Sequence, residues 1–357
     1  ASAVHRQHII QSKVLGEQRT ILVRVPLNYD RTDERLPVVY MLDAHPPQNA
    51  MMVGMLEQQF WGGKIPDVIL VGIQNTNRGR DLTPTVVNDG LPSGGAPKFL
   101  SFIESELIPM IEKAYRTQPY RIIAGHSLGG LFVVHALVER PELFNGYIAA
   151  SPYLHWDGGV VLKRAKETLK NFKGRKRVLH AALGNEEEYL NAFNEFHEFL
   201  RSGGAKNVDF EFQHLKDESH GSIVLPAYLA GIRKVYKGWE PSRPGDLAAL
   251  EAHYRELTER FGYPIQIPEV MMNRIGYLLL RNGRDQDAVE IFKRNVRNYP
   301  TSANVYDSLA EALEKTGDLK TARDNYEKAW KLAEKRAEAQ LAASAKTKFE
   351  RLAGKVK

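Results

Sequence analysis

The alternation of short apolar runs with amphipathic stretches limits the folds open to this chain more than any other feature of its sequence. Continuous runs rich in β-branched residues recur at Pro37–Leu42, Val68–Ile73, Arg121–Ala124, Gly146–Ala150, Val178–Leu183 and Val208–Leu215. Runs that are apolar on both faces are typical of strands in a parallel sheet. Helical patterns lie between them at Phe99–Ala114, Leu131–Arg140, Tyr189–Arg201 and Ile223–Tyr236. This alternation predicts an α/β fold with a doubly wound, mostly parallel sheet.

The chain divides into three parts. Residues 1–238 hold the α/β pattern, which opens with a predicted antiparallel pair, His8–Lys13 and Thr20–Val25. Residues 239–268 contain four prolines and one polar helical stretch, Asp246 to Arg260, and are interpreted as a linker that carries one helix. Residues 269–357 are predicted to form a small all-α domain.

Residues 269–357 contain an internal sequence repeat. Four pairs of small or aromatic residues lie 34 positions apart: Gly276 and Ala310, Gly283 and Gly317, Ala288 and Ala322, Phe292 and Tyr326. This is the period of the tetratricopeptide repeat, in which small residues allow two helices to approach and aromatic rings fill the space between units. We therefore predict two such repeats followed by a capping helix, Arg336 to Leu352.

Composition excludes several classes of protein. There is no cysteine, which excludes disulfides, thiolate zinc sites, iron–sulfur clusters and a Cys nucleophile. Long charge-free stretches such as Ser222 to Ile232 are far below the ~20 apolar residues that a membrane-spanning helix needs. The net charge of +6 is concentrated in Lys163 to Arg177, which contains no nucleic-acid motif and is interpreted as a solvated surface. We expect no nucleic-acid partner, no membrane span, no metal and no cofactor.

The segment Gly125-His126-Ser127-Leu128-Gly129 lies between a predicted strand and a predicted helix. Gly-x-Ser-x-Gly in this position is typical of the nucleophile elbow of an α/β-hydrolase. Ser127 would occupy a strained turn, and glycine at its two flanks would leave room for a crowded backbone. We predict that Ser127 is a nucleophile and that the Leu128 N–H stabilises the oxyanion.

A serine nucleophile needs a base, and in this fold the order along the chain is Ser, acid, His. His220 is the candidate because it lies in a loop after the last predicted strand; His155 is the alternative. The acid is expected in the loop after Val178–Leu183, where Glu187 is the first choice and Glu186 the second. A Ser–His dyad without an acid is also open.

Two loops are predicted to complete the site. The second oxyanion donor should come from the loop after Val38–Leu42, where the N–H groups of His45 and Ala44 are the candidates. The loop after Gly146–Ala150 contains Tyr153 and Trp156, which are predicted to contact an acyl or aromatic group of the substrate. Arg78 and Arg80 are predicted to hold an anionic part of it.

Residues 8–238 resemble the Putative esterase family of α/β-hydrolases, which includes esterase D-type and ferric-siderophore esterases. The resemblance is carried by five segments: Val39-Tyr40-Met41-Leu42-Asp43, Arg80-Asp81-Leu82-Thr83-Pro84, Gly125-His126-Ser127-Leu128-Gly129-Gly130, Ala150-Ser151-Pro152 and His220-Gly221-Ser222. It implies an esterase of the periplasmic, siderophore-esterase-like branch, some members of which use a Ser–His dyad. Ala44 stands where many relatives carry glycine.

Two hypotheses of different classes follow. In the first, the chain is a serine carboxylic-ester hydrolase that forms an acyl-Ser127 intermediate on a small ester, such as a siderophore. In the second, it is a catalytically weak scaffold whose repeats bind a protein partner or a second copy. Intact Ser127, His220 and elbow glycines favour the enzyme. The N-terminal Ala1-Ser2-Ala3 favours a periplasmic or secreted protein over a cytoplasmic one.

Overall fold

The computed structural model describes residues 4–27, 29–88, 90–243 and 246–355. These residues separate into two compact units, one that extends to Glu240 and one that begins at Pro241 and is grouped with residues 29–33.

The first unit is built on one eight-stranded sheet among the described residues. Its strands are β1 (Val4–Gln11), β2 (Gln18–Val25), β3 (Leu36–Met41), β4 (Ile69–Ile73), β5 (Thr117–His126), β6 (Gly146–Ala150), β7 (Arg177–Leu183) and β8 (Val208–His214). The order in the sheet is β1-β2-β4-β3-β5-β6-β7-β8. Strands β3 to β8 are parallel, whereas β2 pairs antiparallel with β1 and β4. The predicted fold class is confirmed.

Burial explains why the sequences of these strands are continuous apolar runs. Every residue of β3, β4, β6 and β7 is buried, because these strands lie inside the sheet and helices cover them. Helix α5 (Leu128–Glu139) packs on β5 and β6, and helix α8 (Val224–Val235) packs on β6 and β7. The helices of this unit are α1 (Pro46–Trp61), α2 (Arg78–Leu82), α3 (Ala96–Phe102), α4 (Ile108–Ala114), α5 (Leu128–Glu139), α6 (Trp156–Thr168), α7 (Glu187–Phe199) and α8 (Val224–Val235).

Several helices differ from what the sequence pattern predicts: α1, α2 and α6 are not among the predicted helices, and the helix from α3 to α4 is irregular. Helix α1 was not predicted, because polar Asn49 and Gln59 are buried among its apolar residues and interrupt the amphipathic pattern. A π-helical stretch, Ile103–Leu107, joins α3 to α4, so that the predicted helix over Phe99–Ala114 is continuous but irregular.

The second unit is helical over its described residues. Its helices are α9 (Leu247–Phe261), α10 (Glu269–Arg281), α11 (Asp285–Asn298), α12 (Ala303–Lys315), α13 (Leu319–Lys335) and α14 (Ala339–Ala353). Helices α10 and α12 begin 34 residues apart, as do α11 and α13. Gly276 faces the Phe292 ring so closely that a Cβ would lie 2.4 Å from it. This packing agrees with the small-residue and aromatic positions noted above, and the tetratricopeptide assignment and the domain boundaries stay predictions.

Among the residues that the structure describes, none of the helices combines the length and the apolar character needed to cross a membrane.

Candidate active site

Ser127 occupies a sharp turn between the end of β5 and the start of α5. Its backbone is left-handed, with φ 60° and ψ −116°. Glycine is required by space at position 125, because a Cβ on Gly125 would lie 2.3 Å from the carbonyl oxygen of Gly129. The Ser127 N–H donates to the Ala150 carbonyl at the end of β6, at 2.9 Å. The turn therefore has the strand–elbow–helix geometry that the sequence predicts.

The first turn of α5 supplies amide groups next to Ser127. Leu128 is the first residue of the helix, and the Leu131 N–H already bonds back to the Ser127 carbonyl at 2.9 Å. The N–H groups of a helix's first turn have no acceptor within the helix and lie at the positive end of its dipole. Leu128 is thus placed as predicted for an oxyanion donor.

The two candidates for the second oxyanion donor are already hydrogen-bonded. The Ala44 N–H donates to the Ile73 carbonyl at 3.1 Å, at the end of β4, so its amide extends the sheet instead of facing Ser127. Ala44 is therefore wrong as a donor. The His45 N–H donates to the Asp43 carbonyl at 2.7 Å within a tight turn, and it stays a candidate only if that bond opens.

His220 lies in the loop between β8 and α8, beside the elbow. Its ring is 4.5 Å from that of His126, centroid to centroid, and His126 directly precedes Ser127. The His126 Nε2–H donates to the His220 carbonyl at 2.7 Å, which fixes the loop against β5. Within the described ranges, no hydrogen bond joins the Ser127 hydroxyl to the imidazole. Such bonds often tighten only once substrate is bound.

The carboxylate that meets His220 belongs to Glu186. The Nδ1–H of His220 donates to Glu186 Oε1, because a carboxylate can only accept. Glu186 is 6% exposed, whereas Glu187, the first residue of α7, is exposed to solvent. The structure thus replaces the first choice, Glu187, with the second. The physical reason is that Glu186 precedes the helix and has a non-helical backbone, with φ −135° and ψ 86°, so its side chain is directed to the loop that contains His220.

Arg78 holds the backbone beneath the elbow. Its guanidinium donates to both carboxylate oxygens of Asp43, at 2.8 and 3.0 Å, and to the His126 carbonyl at 3.0 Å. These bonds use the Nε and Nη2 donors of Arg78, and its contact with an anionic substrate stays a prediction. Arg78 is therefore brought to the site, as a neighbour of the elbow.

Arg80 is not brought to Ser127 by any described contact. It donates to Glu17, at 2.6 and 3.1 Å, and to Asp81 at 2.8 Å. The hydrogen bonds to Glu17, then to Asp81, raise the pKa of Arg80. Both carboxylate partners of Arg80 are within the protein, and its contact with substrate stays a prediction.

Aromatic rings form a half-buried wall beside His220. Tyr153 lies next to the elbow, since its N–H donates to the Ser127 carbonyl at 3.3 Å. Its ring is 4.0 Å from His155, 5.2 Å from Tyr189 and 6.1 Å from Trp156. Tyr189 completes the series at 5.7 Å from His220.

Trp156 is the last ring of this wall and contacts the loop that contains Thr85. Its Nε1–H donates to Thr85 Oγ1 at 3.2 Å. Tyr153 and Trp156 therefore lie where the sequence analysis expects them, and contact with substrate stays a prediction. His155, the alternative base, packs between Tyr153 and Tyr189, and burial lowers the pKa of its imidazole.

Tyr189 is a residue that sequence reasoning missed. It lies in the first turn of α7, and its N–H donates to the Glu186 carbonyl at 3.1 Å. Burial, with Glu186 and Tyr153 nearby, raises the pKa of its phenol to about 12, so the ring stays neutral at pH 7. The sequence signal that could have found Tyr189 is an aromatic residue directly after the run of three glutamates.

In the described part of the chain, no group of three or more histidine, aspartate or glutamate residues has the arrangement of a metal site.

The sequence of residues 12–214 matches the Putative esterase family. The chain belongs to this family. It is accordingly an esterase hydrolase, and the recognition made from its motifs is confirmed.

Two curated relatives and one solved structure show what this esterase is similar to. It is 32% identical over 225 residues to the ferri-bacillibactin esterase BesA of Bacillus subtilis (strain 168), and the match covers 54% of this chain and 76% of that protein. It is 30% identical over 197 residues to a siderophore enterobactin esterase of Emericella nidulans, which covers 43% of this chain and 64% of that protein. The crystal structure of an IroE-like serine hydrolase from Shewanella oneidensis has a TM-score of 0.71 and 28% identity, covering 78% of this chain and 95% of that chain.

Proposed function

We propose that this esterase hydrolyses siderophore-type esters through an acyl-Ser127 intermediate, with His220 as general base and acid and Glu186 as the acid that orients it. The observation that carries the proposal is the pairing of a strained elbow serine with an adjacent histidine whose Nδ1–H is held by a buried carboxylate. Because Nδ1 carries the proton, Nε2 has a free lone pair and is able to accept the proton of Ser127.

In the acylation step, Ser127 Oγ forms a bond to the ester carbonyl carbon while its proton passes to His220 Nε2. The negative charge on the former carbonyl oxygen is stabilised by the Leu128 N–H and the positive end of α5. Glu186 stabilises the imidazolium that forms. When the tetrahedral intermediate collapses, the bond from carbon to the alcohol oxygen breaks and the alcohol leaves with the proton from Nε2.

Water completes the cycle by the same route. It attacks the acyl carbon and gives one proton to His220 Nε2, and the bond to Ser127 Oγ then breaks as Oγ recovers that proton. The products are a carboxylic acid and an alcohol, and the enzyme returns to its starting state.

The substrate class is proposed from the relatives and from the wall beside His220. Two curated relatives are named as esterases of ferri-bacillibactin and of siderophore enterobactin. In this chain, the half-buried rings of Tyr153, Trp156 and Tyr189 offer apolar faces with polar tips to a small ester. The alternative, a scaffold without catalysis, has no comparable support.

The test is covalent labelling followed by hydrolysis assays. A fluorophosphonate probe is expected to label the wild-type chain at Ser127, and Ser127→Ala is expected to abolish labelling while the protein stays folded. Ester turnover should fall at least about a thousandfold in Ser127→Ala and equally in His220→Ala, since the two side chains act as one unit. Labelling at another serine would overturn the mechanism. A labelled enzyme that leaves every siderophore-type ester of a panel intact would overturn the substrate class alone.

A further inference from the structure

Ser151 combines full burial with a backbone conformation that serine rarely adopts. It directly follows β6, is 0% exposed and has φ 40°. A left-handed backbone strains any residue other than glycine, and glycine would remove that strain. The presence of a serine here calls for a contact that its hydroxyl makes and that glycine would lack.

That contact is a hydrogen bond to Glu186. The Ser151 hydroxyl donates to Glu186 Oε2, and the Gly184 N–H donates to the same oxygen at 3.2 Å. The other oxygen, Oε1, accepts the Nδ1–H of His220. The two carboxylate oxygens therefore have separate partners: Oε2 accepts from Ser151 and Gly184, and Oε1 accepts from His220.

The backbone of Ser151 is anchored on both sides. The carbonyl before it, that of Ala150, accepts the Ser127 N–H at 2.9 Å. Its own N–H donates to the Ala182 carbonyl of β7 at 2.7 Å. One peptide group thus joins the elbow to the strand that leads to Glu186, so the Ser151 hydroxyl has a fixed position relative to both.

We infer that Ser151 is a positioning residue for the acid of the proposed triad: it holds the Glu186 carboxylate so that Oε1 is presented to His220. The inference rests on the proposed function, because it assigns a role within that same site. Ser151 is fully buried and acts through Glu186, not on substrate. Without its hydroxyl, the carboxylate keeps one donor on Oε2 and is free to rotate away from the imidazole.

A double-mutant cycle tests this assignment. Ser151→Ala is expected to lower kcat about tenfold and to leave KM unchanged. The buried hydrogen bond that it removes positions a group that acts in the reaction and does not bind substrate. In a Glu186→Gln background, Ser151→Ala should cause no further loss, because the carboxylate that it positions is gone. Ser151→Gly is the matched variant: it removes the hydroxyl and the strain together, so it should be as impaired as Ser151→Ala and more stable than Ser151→Ala by thermal unfolding.

Either of two results overturns the assignment. Equal losses from Ser151→Ala in the wild-type and Glu186→Gln backgrounds would show that Ser151 acts through something other than Glu186. Full activity of Ser151→Gly would show that the hydroxyl has no part in the reaction. Both results are separable from failure of the proposed function, because fluorophosphonate labelling of Ser127 in the wild type is measured in the same series.

Discussion

Three neighbouring parallel strands of this esterase end in polar residues with left-handed backbones. Asp43 comes just after β3, with φ 55°, while Ser127 follows β5 and Ser151 follows β6. Each side chain then has a task at the carboxyl edge of the sheet: Asp43 binds Arg78, Ser127 is the proposed nucleophile, and Ser151 binds Glu186. Residues in strained conformations persist where surrounding structure holds them and often mark functional sites. The strain here is concentrated where the chemistry is proposed.

At the residue scale, the two adjacent glutamates provide a matched pair of variants. Glu186→Gln removes the charge that faces His220 and leaves an amide able to hold the wrong tautomer, so kcat should fall by about 10²- to 10⁴-fold. Glu187→Gln makes the same chemical change on an exposed side chain one position away, and kcat should stay within about twofold. Steady-state kinetics on one ester substrate would measure both, and similar losses in the two variants would refute the assignment of Glu186.

At the scale of elements, the elbow depends on close contact between the end of β5 and the first turn of α5. Because a Cβ on Gly125 would lie 2.3 Å from the Gly129 carbonyl oxygen, Gly125→Ala must push backbone away from backbone. We expect Gly125→Ala to lower the free energy of unfolding by about 2–4 kcal/mol, in the range of overpacked and strained core changes.

The control for this prediction lies in α1. Gly54 is exposed, and a Cβ there would meet nothing within 4 Å. Gly54→Ala should therefore stabilise the chain by about 0.5–1 kcal/mol through helix propensity. Denaturant unfolding of both variants would measure the difference, and a Gly125→Ala protein as stable as the wild type would contradict the steric account.

At the scale of the whole molecule, buried histidines couple the stability of the sheet unit to pH. His135 on α5 and His180 on β7 are at most 1% exposed, and neither ring has a hydrogen-bond partner among the described residues. Burial lowers the pKa of each imidazole from 6.5 to about 4. Their stabilising contribution is therefore complete above pH 6.5 and is lost as the pH falls towards 4, because the unfolded chain binds the protons first.

This linkage predicts a measurable slope. Each histidine should contribute up to about 1.4 kcal/mol of unfolding free energy per pH unit between pH 6.5 and 4. His135→Leu removes one titrating group in a site that is already apolar, so its stability should fall less steeply over that interval than that of the wild type. Unfolding curves at several pH values would measure this, and identical slopes in the two proteins would contradict it.

The sequence by itself determined the features that depend on local pattern. Apolar runs predicted the strands, Gly-x-Ser-x-Gly predicted the elbow, and the order of Ser127 and His220 along the chain predicted their convergence at one edge of the sheet. The strands and the elbow are predictable because strand periodicity and the steric needs of a tight turn act over a few residues. The convergence of Ser127 and His220 is predictable because both follow parallel strands, whose carboxyl ends lie at the same edge of the sheet. The 34-residue period of the C-terminal helices is a pattern of the same kind.

Only the tertiary structure decided which side chains meet. Three consecutive glutamates are equivalent as sequence, and the backbone before α7 selects Glu186 for His220. Arg78 and Arg80 are equivalent in the sequence, and the structure pairs Arg78 with Asp43 beside the elbow and Arg80 with Glu17 and Asp81. Ala44 loses its role as a donor because its amide completes the pairing with β4. Apart from the pair of neighbours Arg80 and Asp81, these contacts join residues that lie 29 to 63 positions apart along the chain, which no local pattern records.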